Sequence, residues 1–110
     1  MRLFSPLLLA ALCATPLLAA TPTPVQLTLK NHVFSPARIV VAAGETISIH
    51  LVNNDAATEE FDSVDLKTEK LVTPGGQITF TVGPVRPGTY HFMGEFHPMT
   101  AQGQVVAEAR

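Results

Sequence analysis

His97 sits in the stretch "YHFMGEFHPMTAQGQVV", residues 90–106, with Met93, Glu95 and Met99 beside it. Imidazole and carboxylate suit Cu(II) and iron, whereas thioether suits Cu(I). The loop therefore gathers hard and soft metal-ligand types. A second acidic stretch lies upstream. Asp55, Glu59, Glu60, Asp62, Asp65 and Glu69 fall within residues 55–69. That stretch reads either as a solvated loop or as a cation site. The only cysteine is Cys13, inside an apolar N-terminal run.

That run resembles a secretory signal. Met1 and Arg2 supply a short positive end, residues 3–18 are almost all apolar, and "LLAAT" offers small residues for cleavage after Ala20. A retained transmembrane anchor is the rival reading, since the run is nearly long enough to span a bilayer. Pro16 and its small neighbours favour cleavage. Cleavage gives a signal peptide at 1–20 and one domain at 21–110. It also removes Cys13, so the exported chain carries neither thiolate nor disulfide. A small domain without bridges depends on packing, helped by any bound ion. The chain is mildly acidic, with net charge −2 and no basic cluster. Nucleic acid and anionic membrane surfaces are poor candidates as partners on that ground. No membrane insertion is expected after signal cleavage.

The elements that would position these residues are strands. "VQLTLK" and "TISIHLVNN" alternate apolar with polar residues, as half-buried strands do. "ARIVVAAGE", "EEFDS", "QITFTVG", "YHFMGEF" and "GQVVAEA" complete the set, while "KTEKLVTPGG" reads as irregular. Turn residues recur every eight to twelve positions or so, as in an antiparallel sandwich. The expectation is an all-β sandwich of seven to eight strands. Alternation points Tyr90, Phe92 and Gly94 one way, and His91, Met93 and Glu95 the other. On "EEFDS" it groups Glu59 with Phe61, and Glu60 with Asp62. His50 and His91 sit mid-strand and read as surface histidines.

The order "FSPARIVVAAGETISIHLVNND", then "TVGPVRPGTYHFMGEFHPMTAQGQVV", resembles a cupredoxin over nearly the whole exported chain. The resemblance implies a Greek-key sandwich with a metal site at one end. It also implies a cysteine after "YHFM" and a histidine after the "N-x-D" strand end. Gly94 and "TEEFDS" stand there instead. His97 keeps the family's position; Met99 is only near the usual methionine. "EEFDSVDLKTEK" and "GEFHPMTAQG" resemble the cupredoxin-like periplasmic components of bacterial iron-uptake systems, the EfeO-type cupredoxin domain family. That resemblance implies copper, and after it iron, as the cargo or cofactor. It implies as partners a periplasmic copper-binding protein and an inner-membrane iron permease.

A blue-copper centre needs a thiolate, and the exported chain has none. The candidate ligands are His97, Glu59, Glu60, Glu95 and one of Met93 or Met99. In the cupredoxin arrangement "NHVFSP" reaches the same pole, adding His32. Glu69 has no assigned direction. Three functions compete: a periplasmic metal-binding protein in iron or copper uptake, a copper-dependent ferroxidase, and an interaction module whose metal site has decayed.

Overall fold

The computed structural model describes residues 21–110. Nine strands form, with no helix among the described residues: β1 (Thr23–Lys30), β2 (Val33–Ser35), β3 (Arg38–Ala42), β4 (Ile47–Asn53), β5 (Glu59–Ser63), β6 (Thr68–Val72), β7 (Gln77–Val82), β8 (Gly88–Gly94) and β9 (Gln102–Glu108). They divide into a four-stranded sheet, β2-β1-β4-β7, and a five-stranded sheet, β3-β9-β8-β5-β6. The apolar faces of the two sheets pack into one core. This is the all-β Greek-key sandwich that the alternation and the resemblance led us to expect.

Two expectations need correction. The sheets are mixed, not antiparallel, because β1 pairs parallel with β4 and β3 pairs parallel with β9. The segment taken as irregular contains β6, paired with β5. It escapes a pattern reading because it is an edge strand with only Val72 buried. Backbone hydrogen bonds hold it, and they leave no trace in side-chain alternation. The three-residue β2 is another edge strand, closing a hairpin with β1.

The interior strands follow the sequence closely. β4 buries Ile47, Ile49, Leu51 and Asn53, every second residue. β5 buries Glu59, Phe61 and Ser63 by the same period. Four phenylalanines meet at the centre. Phe61 stacks on Phe92 at 4.9 Å, and Phe34 meets Phe92 edge-on at 5.3 Å. Phe80 tilts against Phe61 at 5.0 Å. Such pairs add roughly 0.5–1.5 kcal/mol each beyond area burial. Gly103 makes the arrangement possible, since a Cβ there would lie 2.2 Å from Phe92 Cζ. The cluster forms a rigid floor: Phe34, Phe61 and Phe92 each stand two residues from His32, Glu59 and Gly94 respectively.

Candidate metal centre

Glu59 opens β5 on its inward-facing side and is 1 % exposed. Burying a carboxylate costs several kcal/mol unless its oxygens are satisfied. Here they are. Oε1 accepts the backbone N–H of Phe96 at 2.9 Å and that of Glu60 at 3.1 Å. Oε2 lies 2.6 Å from Nδ1 of His97. With Glu59 ionised, Nδ1 carries the hydrogen and donates it, a short charge-assisted bond.

His97 comes from the loop between β8 and β9. That loop is tightened by three backbone bonds: His97 N–H to the Gly94 carbonyl, and Thr100 N–H and Ala101 N–H to the His97 carbonyl. Gly94 leaves room for Glu59. A Cβ at 94 would sit 2.7 Å from both Glu59 Cδ and Ala101 Cβ. The buried carboxylate thus fills the space that a side chain at position 94 would take.

His32 arrives from the other sheet. It occupies the two-residue turn joining β1 and β2, between the paired Lys30 and Val33. Asn31 and His32 both have positive φ, 53° and 59°. That pattern marks a type I′ turn, whose second position is usually glycine. A histidine there is strained by about 1–2 kcal/mol. Its ring stacks on His97 with centroids 3.5 Å apart and planes inclined by 12°.

Asp55 holds this turn. Its Oδ1 accepts the Asn31 N–H at 2.6 Å and its Oδ2 the His32 N–H at 2.9 Å. Oδ2 also lies 3.4 Å from His32 Nδ1. Burial opposes ionisation of Asp55, but the two N–H groups and the imidazoles of His32 and His97 outweigh it. Its carboxyl is held below the ordinary carboxylate range. Asp55 is anchored in turn by fully buried Asn53. Asn53 Oδ1 accepts the Asp55 N–H at 3.0 Å, and its Nδ2 donates to the carbonyls of Ala57 and Thr73 at 2.8 and 3.1 Å.

Donor atoms of His32, Glu59 and His97 lie within 4.8 Å of one another. Two imidazoles and one carboxylate suit Cu(II) or iron, and the cradle left by Gly94 holds the carboxylate at the same point. The residues therefore fit a divalent metal. The stack must open to receive it, because the lone pairs of parallel rings do not converge. Metal would also displace the hydrogen between Glu59 and His97.

The other candidate ligands lie elsewhere. Glu60 faces outward, and its carboxylate clusters with those of Glu69 and Glu95 within 4.8 Å. Asp62 is close enough to act on the same group. Glu60 first, then Asp62, raises the Glu95 carboxyl above its ordinary 4.5. Met93 lies on the outer face of β8, and Met99 is 89 % exposed. His50 is bonded to Gln26 and Gln77, at 2.8 Å each, on the outer face of its sheet. In the sequence Asp55 stands out only as one of the six acids of residues 55–69 and is not among the candidate ligands. Its signal was the "N-x-D" strand end, which joins the buried Asn53 to the turn carrying His32.

The chain is thus a mixed-sheet β-sandwich with two imidazoles and a buried carboxylate gathered at one pole. Its sequence goes further: residues 3–107 match the cupredoxin-like domain family, and the protein belongs to that family. It is 39 % identical over 82 residues to uncharacterized protein RP394 of Rickettsia prowazekii (strain Madrid E), covering 74 % of this chain and 66 % of that protein. Among solved structures, auracyanin A, a "blue" copper protein from Chloroflexus aurantiacus, superposes with a TM-score of 0.68 at 16 % identity. That match covers 80 % of this chain and 100 % of auracyanin A. The metal-binding domain of the Streptococcus pneumoniae D39 Cu(I)-exporting P-type ATPase CopA, solved with Cu(I), gives 0.69 at 11 % identity, covering 77 % and 84 %. At these identities the likeness establishes the fold.

Proposed function

We propose that the protein is an exported, periplasmic metal-binding protein that takes copper through His32, Glu59 and His97. The observation that carries this reading is the buried Glu59 carboxylate at 2.6 Å from His97, with His32 stacked on the same ring. Copper is supported by the donor set and by the copper proteins that share the fold. The site would supply oxygen and nitrogen donors without sulfur. Glu59 would hold its charge in a dry pocket, and Asp55 would keep His32 in reach. Met93 lies on the outer face of β8, so Met99, in solvent two residues beyond His97, would be the thioether to add a weak donor. The periplasmic assignment rests on the signal-like N-terminus. A place in ferrous-iron uptake, beside a copper-binding partner and an inner-membrane permease, rests on the family resemblance of "EEFDSVDLKTEK" and "GEFHPMTAQG".

Calorimetric titration of the mature protein with Cu(II), Cu(I) and Fe(II), followed by paramagnetic resonance, tests the site. One Cu(II) per chain is expected, without the intense thiolate-to-copper absorption of blue sites. His97→Ala should abolish binding. Equal binding by wild type and His97→Ala would refute the assignment.

A copper-dependent ferroxidase is the second reading. It is favoured by the outward carboxylates of Glu60, Glu69 and Glu95, a cluster of hard donors whose member Glu60 follows Glu59 on the same strand. It predicts Fe(II) oxidation by the copper-loaded protein well above the rate in buffer.

A further inference from the structure

We propose that Asp55 is the positioning residue of the metal centre, holding His32 in a backbone conformation that the turn would not otherwise keep. The inference rests on His32 being a ligand. The turn has two consecutive residues at positive φ, and neither is glycine. Asparagine tolerates that region because its short side chain bonds locally; at the second position, glycine would adopt it at less cost than histidine. The preference of residue 32 therefore opposes the conformation that brings its ring onto His97.

A single carboxylate offsets that opposition. Each Asp55 oxygen takes one of the two successive N–H groups that the turn presents. Both groups point at Asp55 only while Asn31 and His32 remain left-handed. The carboxylate thus selects the strained state over a relaxed one. Its own place is fixed from both sides. Its N–H is held by Asn53, and its carbonyl accepts Gly75 N–H at 3.1 Å. The next residue back, Asn54, donates its N–H to the Leu29 carbonyl at 2.8 Å, tying the loop to β1. The support therefore runs from a fully buried amide, through a carboxylate, to a partly exposed imidazole. Oδ2 at 3.4 Å from Nδ1 also biases the ring orientation.

The test compares wild type, Asp55→Ala, Asp55→Asn, and Asp55→Ala combined with Asn31→Gly. Cu(II) affinity is read by calorimetry, apo folding by thermal unfolding, and the donor set by paramagnetic resonance. Asp55→Ala is expected to weaken Cu(II) about 10- to 100-fold, the usual effect of losing an outer-shell partner. The nitrogen and oxygen donors of the copper that still binds should be unchanged. Adding Asn31→Gly should restore a small part of the affinity, because glycine takes the left-handed φ at the first turn position more readily than asparagine while the opposition at His32 remains. Asp55→Asn, which keeps one acceptor, should fall between wild type and Asp55→Ala and serves if the alanine variant does not fold. Absence of Cu(II) binding by wild type would overturn the site itself. Wild-type affinity in both Asp55 variants would overturn only the positioning role. Loss of an oxygen donor from the spectrum, with no rescue by Asn31→Gly, would instead make Asp55 a ligand and overturn it as well.

Discussion

Two residues in this protein give up stability to build the pole, and each makes a separable prediction. His32 stands where a type I′ turn favours glycine. His32→Gly should raise the melting temperature of the metal-free protein by a few degrees, since strain of up to about 1–2 kcal/mol is relieved. The same variant should lose Cu(II) binding. A lower melting temperature would mean that stacking on His97 outweighs the strain. Gly94 is the complementary case, where an absent side chain leaves room for a charge. Gly94→Ala would drive a methyl group into Glu59 Cδ and Ala101 Cβ. Overpacking of this kind costs about 1–3 kcal/mol. Thermal unfolding should show that loss, and titration should show weaker Cu(II) binding as the carboxylate moves away from His97.

Strand β5 separates two kinds of carboxylate by its alternation alone. Glu59 turns inward and is fully bonded; Glu60 turns outward and meets like charges from β6 and the end of β8. The outward cluster has a pH signature. The Glu95 carboxyl is raised above 4.5, chiefly by Glu60 and then Asp62. A raised acid favours the folded state below its unfolded value, and that advantage is lost as pH rises through the raised value. Repulsion therefore weighs on the fold at neutral pH. Glu95→Gln should melt higher than wild type at pH 7, and the two should converge as pH drops below about 4.5. Added salt should narrow the gap at pH 7, since the group is exposed. A gap that widened in acid would reject this account.

As a whole, the described residues form a small cysteine-free sandwich whose apolar core centres on one phenylalanine cluster beneath one polar pole. Total stability for a domain of this size is about 5–15 kcal/mol, so a bound ion would form a sizeable share. A ligand that binds only the native state at 100 times its Kd adds about 2.7 kcal/mol. For a chain of this length that corresponds to a rise in melting temperature of roughly 10–20 °C. Saturating Cu(II) should produce a rise of that order in wild type and none in His97→Ala. An unchanged melting temperature in wild type across a copper titration would favour an interaction module without a working site.

Alternation along the strands was enough to predict the sandwich and to group Glu59 with Phe61, and Phe92 with Tyr90 and Gly94; that the first group and Phe92 face the core came from the packing of the two sheets. That pattern is local, because side chains two residues apart share a face whatever the strand's neighbours. The absence of a thiolate was equally plain from composition once Cys13 is assigned to the N-terminal signal. The parallel pairings of β1 with β4 and β3 with β9 were not readable, nor was β6, because backbone hydrogen bonds carry no side-chain code. The same limit hid the centre's membership. Glu59 and His97 lie 38 residues apart, and Asp55 reaches His32 across 23. Only the packing of two sheets brings a strained turn from one against a buried carboxylate of the other, while Glu60, Glu95 and Met93, equally plausible as residue types, are turned to the opposite face.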